Sequence, residues 1–163
     1  MRNDFAEWLR WIEAGSWATI IKQSLWIYPF IEIVHITGIT MVAGAAILFD
    51  LRLLNIAFRL PVADIARYLL PWSRRGLWLV IPSGFLLFIT NAEALGFQTV
   101  FQLKLSLLLL AGVNAVLFHV FVFRPQLRDK KDAAVPAVAK VNAVVSIVLW
   151  ISIISCGRLL AYL

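Results

Sequence analysis

Four apolar runs, at about 28–49, 76–91, 103–123 and 138–157, alternate with polar connections along the chain. Each reads as a membrane-spanning helix, since a bilayer core takes roughly 20 apolar residues in helical form. Pro29 suits the first turn of the first span, where its missing donor would be unpaired anyway. The second span is the shortest, and Pro82, Ser83 and Gly84 near its middle predict a kink. Ahead of the spans, Phe5, Trp8, Leu9 and Ile12 recur at helical spacing, with Glu7, Arg10 and Ala14 opposite. Gly15 and Ser16 interrupt that face, and Trp17, Ile20 and Ile21 start another. The pattern predicts an amphipathic helix over about 4–22, lying at the interface as a foot that orients the spans. The expected fold is an all-α integral membrane protein: one domain over 1–163, a four-transmembrane-helix bundle with an N-terminal interfacial helix.

Composition agrees with that pattern. Of 163 residues, 62% are hydrophobic and 15% charged, against about 45–50% and about 25% in soluble domains. The formal charge of +6 belongs to basic residues in connections beside apolar helices, which argues for topology and anionic lipid, with no nucleic-acid partner. Arg52, Arg59, Arg67, Arg74 and Arg75 follow the first span, and Arg124, Arg128, Lys130, Lys131 and Lys140 follow the third. The connection at 92–102 has no basic residue. Four spans put both basic connections on one side, the cytoplasmic one, and both termini outside. In a bacterium that is an inner-membrane, multi-pass protein with periplasmic termini. Nothing in 1–14 resembles a cleavable signal peptide, since Asp4, Glu7 and Glu13 interrupt it. A lone cysteine, Cys156, rules out an internal disulfide.

Ionisable groups within spans concentrate attention. Glu32, His35 and Asp50 lie on one side of the first span, with Asp50 five turns beyond Glu32 and His35 about 60° off that line. Such groups are costly in lipid and usually face a bundle interior or a working site. On the expected topology His35 lies in the outer half, and His119, near the inner end of the third span, lies about 14 Å deeper. The two cannot ligate a single haem iron. His35 could be the sole protein ligand of a five-coordinate haem, with small Ala43 and Ala46 admitting the flat macrocycle. Alternatively each histidine could serve a haem of its own.

A Glu32–His35 pair fits a carboxylate-bridged metal site in spacing, but no second Glu-x-x-His copy accompanies it. The plainer alternative is a buried hydrogen-bonded pair that fixes helix packing. His119 shares a face with Leu108, Gly112 and Ala115, a small-residue seam that favours an inward direction. Lys104 and Arg158, with Thr90, Asn91, Glu93, Ser106, Ser155 and Cys156, fall at the outer level and could line a cavity there; snorkelling to headgroups is the alternative for both cations. Cys156 and Met41 are copper ligands by type, though Met41 lies away from the His35 side. Asp50 and Arg52 read as a local ion pair and helix terminator.

Several motifs carry a resemblance. His35-Ile-Thr-Gly38, Gly44 and Asp50-Leu-Arg-Leu53 resemble an uncharacterised family of small four-span bacterial inner-membrane proteins. So do Trp26-Ile-Tyr-Pro29, Phe101-Gln-Leu-Lys104-Leu, Asn114, His119, Trp150 and Gly157-Arg158, so the resemblance covers nearly the whole chain. That family implies no activity. More distantly, the early histidine, the Arg74-Arg75 pair before a proline-containing span and the Lys104-Leu opening are similar to two further groups. These are the haem-containing membrane protoporphyrinogen oxidases and the copper-resistance D-type membrane proteins. For the oxidases the resemblance implies functional positions at His35 and Lys104. Their fourth-span Asn-Glu pattern is absent; Lys140-Val-Asn142-Ala stands there. Haem or metal binding is what carries over.

The expectation is therefore b-type haem held through His35 in the outer half, with electron transfer to a quinone or a membrane redox partner. The other class is a non-catalytic membrane subunit or metal-handling accessory, which could be a homo-oligomer. No base stands at a recognisable spacing from Cys156 or any serine, so nucleophilic catalysis is not implied.

Overall fold

Three of the apolar runs form helices long and apolar enough to cross a membrane. They are α3 (Ile27–Leu53), α6 (Thr99–Phe118, apolar onward to Phe123) and α7 (Ala137–Leu159). Less than a third of each span's apolar window is buried. The remainder presents aliphatic and aromatic side chains outward, which is how a helix reads when its solvent is lipid. A computed structural model describes residues 2–56, 60–127 and 135–162, and all regular structure among them is helical. These features are compatible with a multi-pass membrane protein.

α4 (Val62–Thr90) differs from the sequence expectation. The short second span at 76–91 is the second half of one 29-residue helix, and Arg67, Arg74 and Arg75 ride on its exposed side instead of occupying a loop. Pro71 and Pro82 lie inside it without ending it. A proline removes one donor, but packing along α3 holds the helix together across both positions.

α4 runs antiparallel to α3 in constant register. His35 faces Ser83 and Gly84, Gly38 faces Leu79 and Val80, and Val42 faces Gly76. Glycines set the spacing of this pair. A Cβ on Gly38 would stand 2.7 Å from Val80 Cγ2 and 3.0 Å from its backbone nitrogen, and one on Gly76 would stand 2.9 Å from the Gly38 carbonyl oxygen.

The remaining helices follow in the order α4, α3, α7, α6, with α6 at an edge: its main backbone contacts are with α7 and the helical segments flanking it, and only Phe118 of its residues is buried. Phe88 of α4 stacks on Phe101 of α6 at one end, and Phe49 of α3 meets Phe118 edge-on at the other. A π-helical segment, His119–Leu127, continues α6. Leu53, Val62, Ala66, Phe118, Val122, Phe123, Ala139 and Ala143 form the core of that end. α3 stops where Asn55 takes φ 60°, a left-handed conformation that asparagine tolerates. Arg52 staples the turn, donating to the Leu60 carbonyl at 2.6 Å and to Asn55 Oδ1 at 2.7 Å.

The expected N-terminal segment is two helices, α1 (Arg2–Glu13) and α2 (Ser16–Gln23), and the connection at 92–102 contains α5 (Ala92–Phe97). Leu9, fully buried, fills the space left by Gly96 of α5, and Phe5 meets Phe97 edge-on. Arg10 pairs with Glu93 at 2.7 Å. Glu13 accepts from Lys22 at 2.6 Å and from the Glu93 backbone N–H at 3.0 Å. The amino-terminal helices are thus latched to the turn after α4, and this side of the molecule is the foot end.

Candidate functional site

His35 sits about 12 Å along α3 from its foot-end start. Its Nδ1 lies 3.0 Å from Ser83 Oγ, and the Val80 carbonyl is a second neighbour. Ser83 Oγ is also 2.5 Å from the Leu79 carbonyl oxygen one turn back. With the single hydroxyl proton given to that carbonyl, the serine oxygen is left to accept. The network thereby assigns the imidazole proton to Nδ1 and leaves a lone pair on Nε2. Gly84 makes room for the ring, because a Cβ there would stand 2.9 Å from His35 Cε1. The pattern of α4 explains the fit: Gly76, Ser83 and Gly84 put small residues against α3 two turns apart.

α6 and α7 complete this level. Lys104 is partly buried, and its Nζ lies 3.6 Å from where a Cβ on Gly157 would stand. Its charge acts on both His35 and the buried Cys156 thiol, yet it has no hydrogen bond or ion pair among the described residues. All four helices therefore contribute to one polar level in the foot-end half: an oriented imidazole, a hydroxyl, an ammonium and a thiol. An ammonium held there without a counter-ion favours an anionic group beside it.

Other residues singled out in the sequence lie elsewhere. Glu32 is exposed near Tyr28 and makes no bond to His35, so the expected pair does not form. Arg158 is exposed as well, donating to the Tyr162 hydroxyl at 2.7 Å with its guanidinium over that ring. Its partner one turn on fixes it at the helix end. Ala43 is buried and Ala46 partly buried, but both lie deeper than His35, by about 12 Å and about 16 Å along the helix. His119 stacks on Phe123 at 5.3 Å at the far end, among the residues that pack with Leu53 and Val62. The two histidines thus occupy different halves. Among the described residues no three His, Cys, Asp or Glu side chains gather as a metal cluster.

Asp50 differs most from its expectation. Arg52 is engaged with Leu60 and Asn55, so no Asp50–Arg52 pair forms. Asp50 instead turns inward, 5% exposed, toward the Ser146 hydroxyl of α7. One turn earlier on α7, Asn142 donates to Asn114 Oδ1 of α6 at 2.8 Å, and Asn114 donates back to the Asn142 carbonyl at 3.4 Å. These serines and asparagines carried little signal on their own, because small polar residues inside spans often bond their own helix. Their spacing, Asn142 and Ser146 on one face of α7, was the available clue.

For haem the test is the donor set. An imidazole anchored through Nδ1 with Nε2 open is how ligating histidines are oriented, and Lys104 suits a propionate. Ala43 and Ala46 lie too deep to flank the same group. No curated protein and no solved structure matches the chain, and no similarity to the porphyrinogen oxidases or copper-resistance proteins is shown. A family model does match residues 8–163, nearly the whole length. With its small-residue α3–α4 seam and single anchored histidine, the chain belongs to DUF6644, a family of unknown function.

Proposed function

We propose that this is a multi-pass inner-membrane protein that binds a ligand at the level of His35, Ser83, Lys104 and Gly157. The observation that carries the reading is an oriented imidazole beside an ammonium with no counter-ion among the described residues. A suitable ligand brings an anionic group to Lys104 and a metal or a hydrogen-bond donor to His35 Nε2. b-type haem meets both demands, with its iron at Nε2 and a propionate at Lys104, and when bound it would supply a one-electron couple for exchange with a quinone or membrane partner. The chain's own part is to hold the imidazole through Ser83, exclude water with the α3–α4 seam and neutralise the anionic group.

Reading α4 as a fourth span gives the site its place. α1 is latched to the turn after α4, so α3 begins and α4 ends on the same side. If α3 crosses, α4 returns, although its apolar half alone is short. Side chains lean toward a helix's N-terminus, so Arg74 and Arg75 would reach back to the headgroups on the far side. α1 and α2, with Trp11 and Trp17 about three-quarters exposed, would lie in the interface as an amphipathic foot. Both termini are then outside and the basic connections cytoplasmic.

An optical spectrum of the protein purified in detergent from haem-replete cells tests the occupant. A Soret band that shifts on dithionite, is lost in His35→Ala and is retained in His119→Ala is expected. A colourless, folded preparation would remove haem as the occupant. A membrane-subunit role is the second reading, favoured by the nearly uncovered length of α6; it predicts no chromophore and co-purification with other subunits.

A further inference from the structure

The far end of the bundle holds a polar layer that the His35 level does not use. Asp50 of α3 is 5% exposed and its Oδ2 has no hydrogen-bond partner among the described residues. Its other contact is the neutral Ser146 hydroxyl. The cations nearest along its own helix and the helices beside it are directed elsewhere. Arg52 is bonded to Leu60 and Asn55, and Arg67 of α4 and Lys140 of α7 are exposed. Tyr68 of α4 is exposed also, and His119 stacks on Phe123. The asparagines do not supply the missing donor, since the Asn142 amide is given to the backbone and side-chain oxygens of Asn114.

A bare carboxylate in such a place is not sustained, because its desolvation is offset by nothing nearby. We propose that Asp50 and Ser146 form a site for one univalent cation, a proton or a sodium ion, at the α3–α7 contact. Oxygen is the right donor for either. One carboxylate matches one unit of charge, whereas calcium takes six to eight oxygen ligands. The geometry couples the cation to helix packing. The ion neutralises the charge that would otherwise push α3 from α7, and Asn142–Asn114 passes that contact on to the edge helix α6.

Thermal unfolding of the full chain in detergent tests this, with wild type and Asp50→Asn compared in two series. In the first, sodium replaces choline at constant pH and ionic strength. In the second, pH rises at constant sodium. Sodium binding raises the wild-type Tm by several degrees in the first series, as any ligand of the native state does. Proton binding instead lowers the wild-type Tm as pH rises and the carboxyl loses its proton, with no sodium effect. Asp50→Asn, which keeps shape and removes charge, responds in neither. Parallel behaviour of the two proteins in both series overturns the proposal. Ser146→Ala, which keeps the carboxylate and removes one oxygen, gives a second check: a sodium response shifts to higher sodium concentration, a proton response shifts to higher pH because the carboxylate loses a donor, and an unchanged response would count against the site.

Discussion

Glycine substitution tests the α3–α4 seam at single-residue resolution. A methyl group on Gly38 meets Val80 at 2.7 Å and its backbone nitrogen at 3.0 Å, atoms that cannot turn aside, whereas one on Gly44 meets nothing within 4 Å. Gly38→Ala should therefore destabilise by about 1–3 kcal/mol, the usual cost of overpacking. Gly44→Ala should be neutral or stabilise by up to about 1 kcal/mol through helix propensity. Equal unfolding midpoints for the two variants would mean that the helices do not approach as described. At this scale the sequence was informative about charge and silent about partners. His35 and Lys104 stood out because ionisable groups in lipid are rare. Ser83 did not, because Pro82-Ser83-Gly84 read as a kink while its hydroxyl is the group that orients the histidine. Glu32 was placed inward by helical angle, which a residue near a helix end can satisfy while reaching water, and Arg158 was placed only by depth, which left open the tyrosine one turn away that it meets.

Among the elements, the foot is held by polar bonds as much as by packing. Glu13 lies below its ordinary value of 4.5, first because Lys22 donates to it and second because the Glu93 backbone N–H does. A carboxyl depressed on docking contributes stability that is complete above its undocked value and lost as pH falls through the docked one. Protection of the α1 and α2 amides, with each exchange rate taken relative to its intrinsic rate at the same pH, should therefore fall below about pH 4.5, with the spans unaffected. In Glu13→Gln it should be lower already at neutral pH and respond less to acid. Protection that is flat with pH in the wild type would show that the latch contributes nothing. The break at Gly15–Ser16 was legible in the amphipathic pattern, but the docking of α1 on α5 was not, since it depends on Leu9 meeting Gly96 across more than eighty residues of chain. The extent of α4 was hidden for a different reason. Three arginines and two prolines argue locally for a connection, and only the constant register against α3 keeps those residues helical.

At the scale of the whole molecule, topology follows from one logical step: whether α4 crosses. The apolar runs announce α3, α6 and α7 by hydropathy alone, while α4 carries its charges on an outward face and falls short by that measure. If α4 crosses, Ala14 and Ala94 share a side and Ala137 lies on the other. If it does not, Ala14 and Ala94 are separated by the single crossing of α3, and the ion pair between Arg10 and Glu93 argues for the first arrangement. All three alanines are exposed, whereas Ala139, two residues beyond Ala137, is buried. In a Cys156→Ser background, Ala14→Cys and Ala94→Cys should react in intact cells with a membrane-impermeant maleimide, and Ala137→Cys only after permeabilisation. Labelling of Ala14→Cys and Ala94→Cys from opposite sides would refute the four-span arrangement. It would also put His35 and Lys104 in opposite halves, because the depth of each is reckoned from the foot. The positive charge of the connections predicts the direction of the result as well as its symmetry, since the side bearing Arg67, Arg74, Arg75 and Lys140 is the one retained in the cytoplasm.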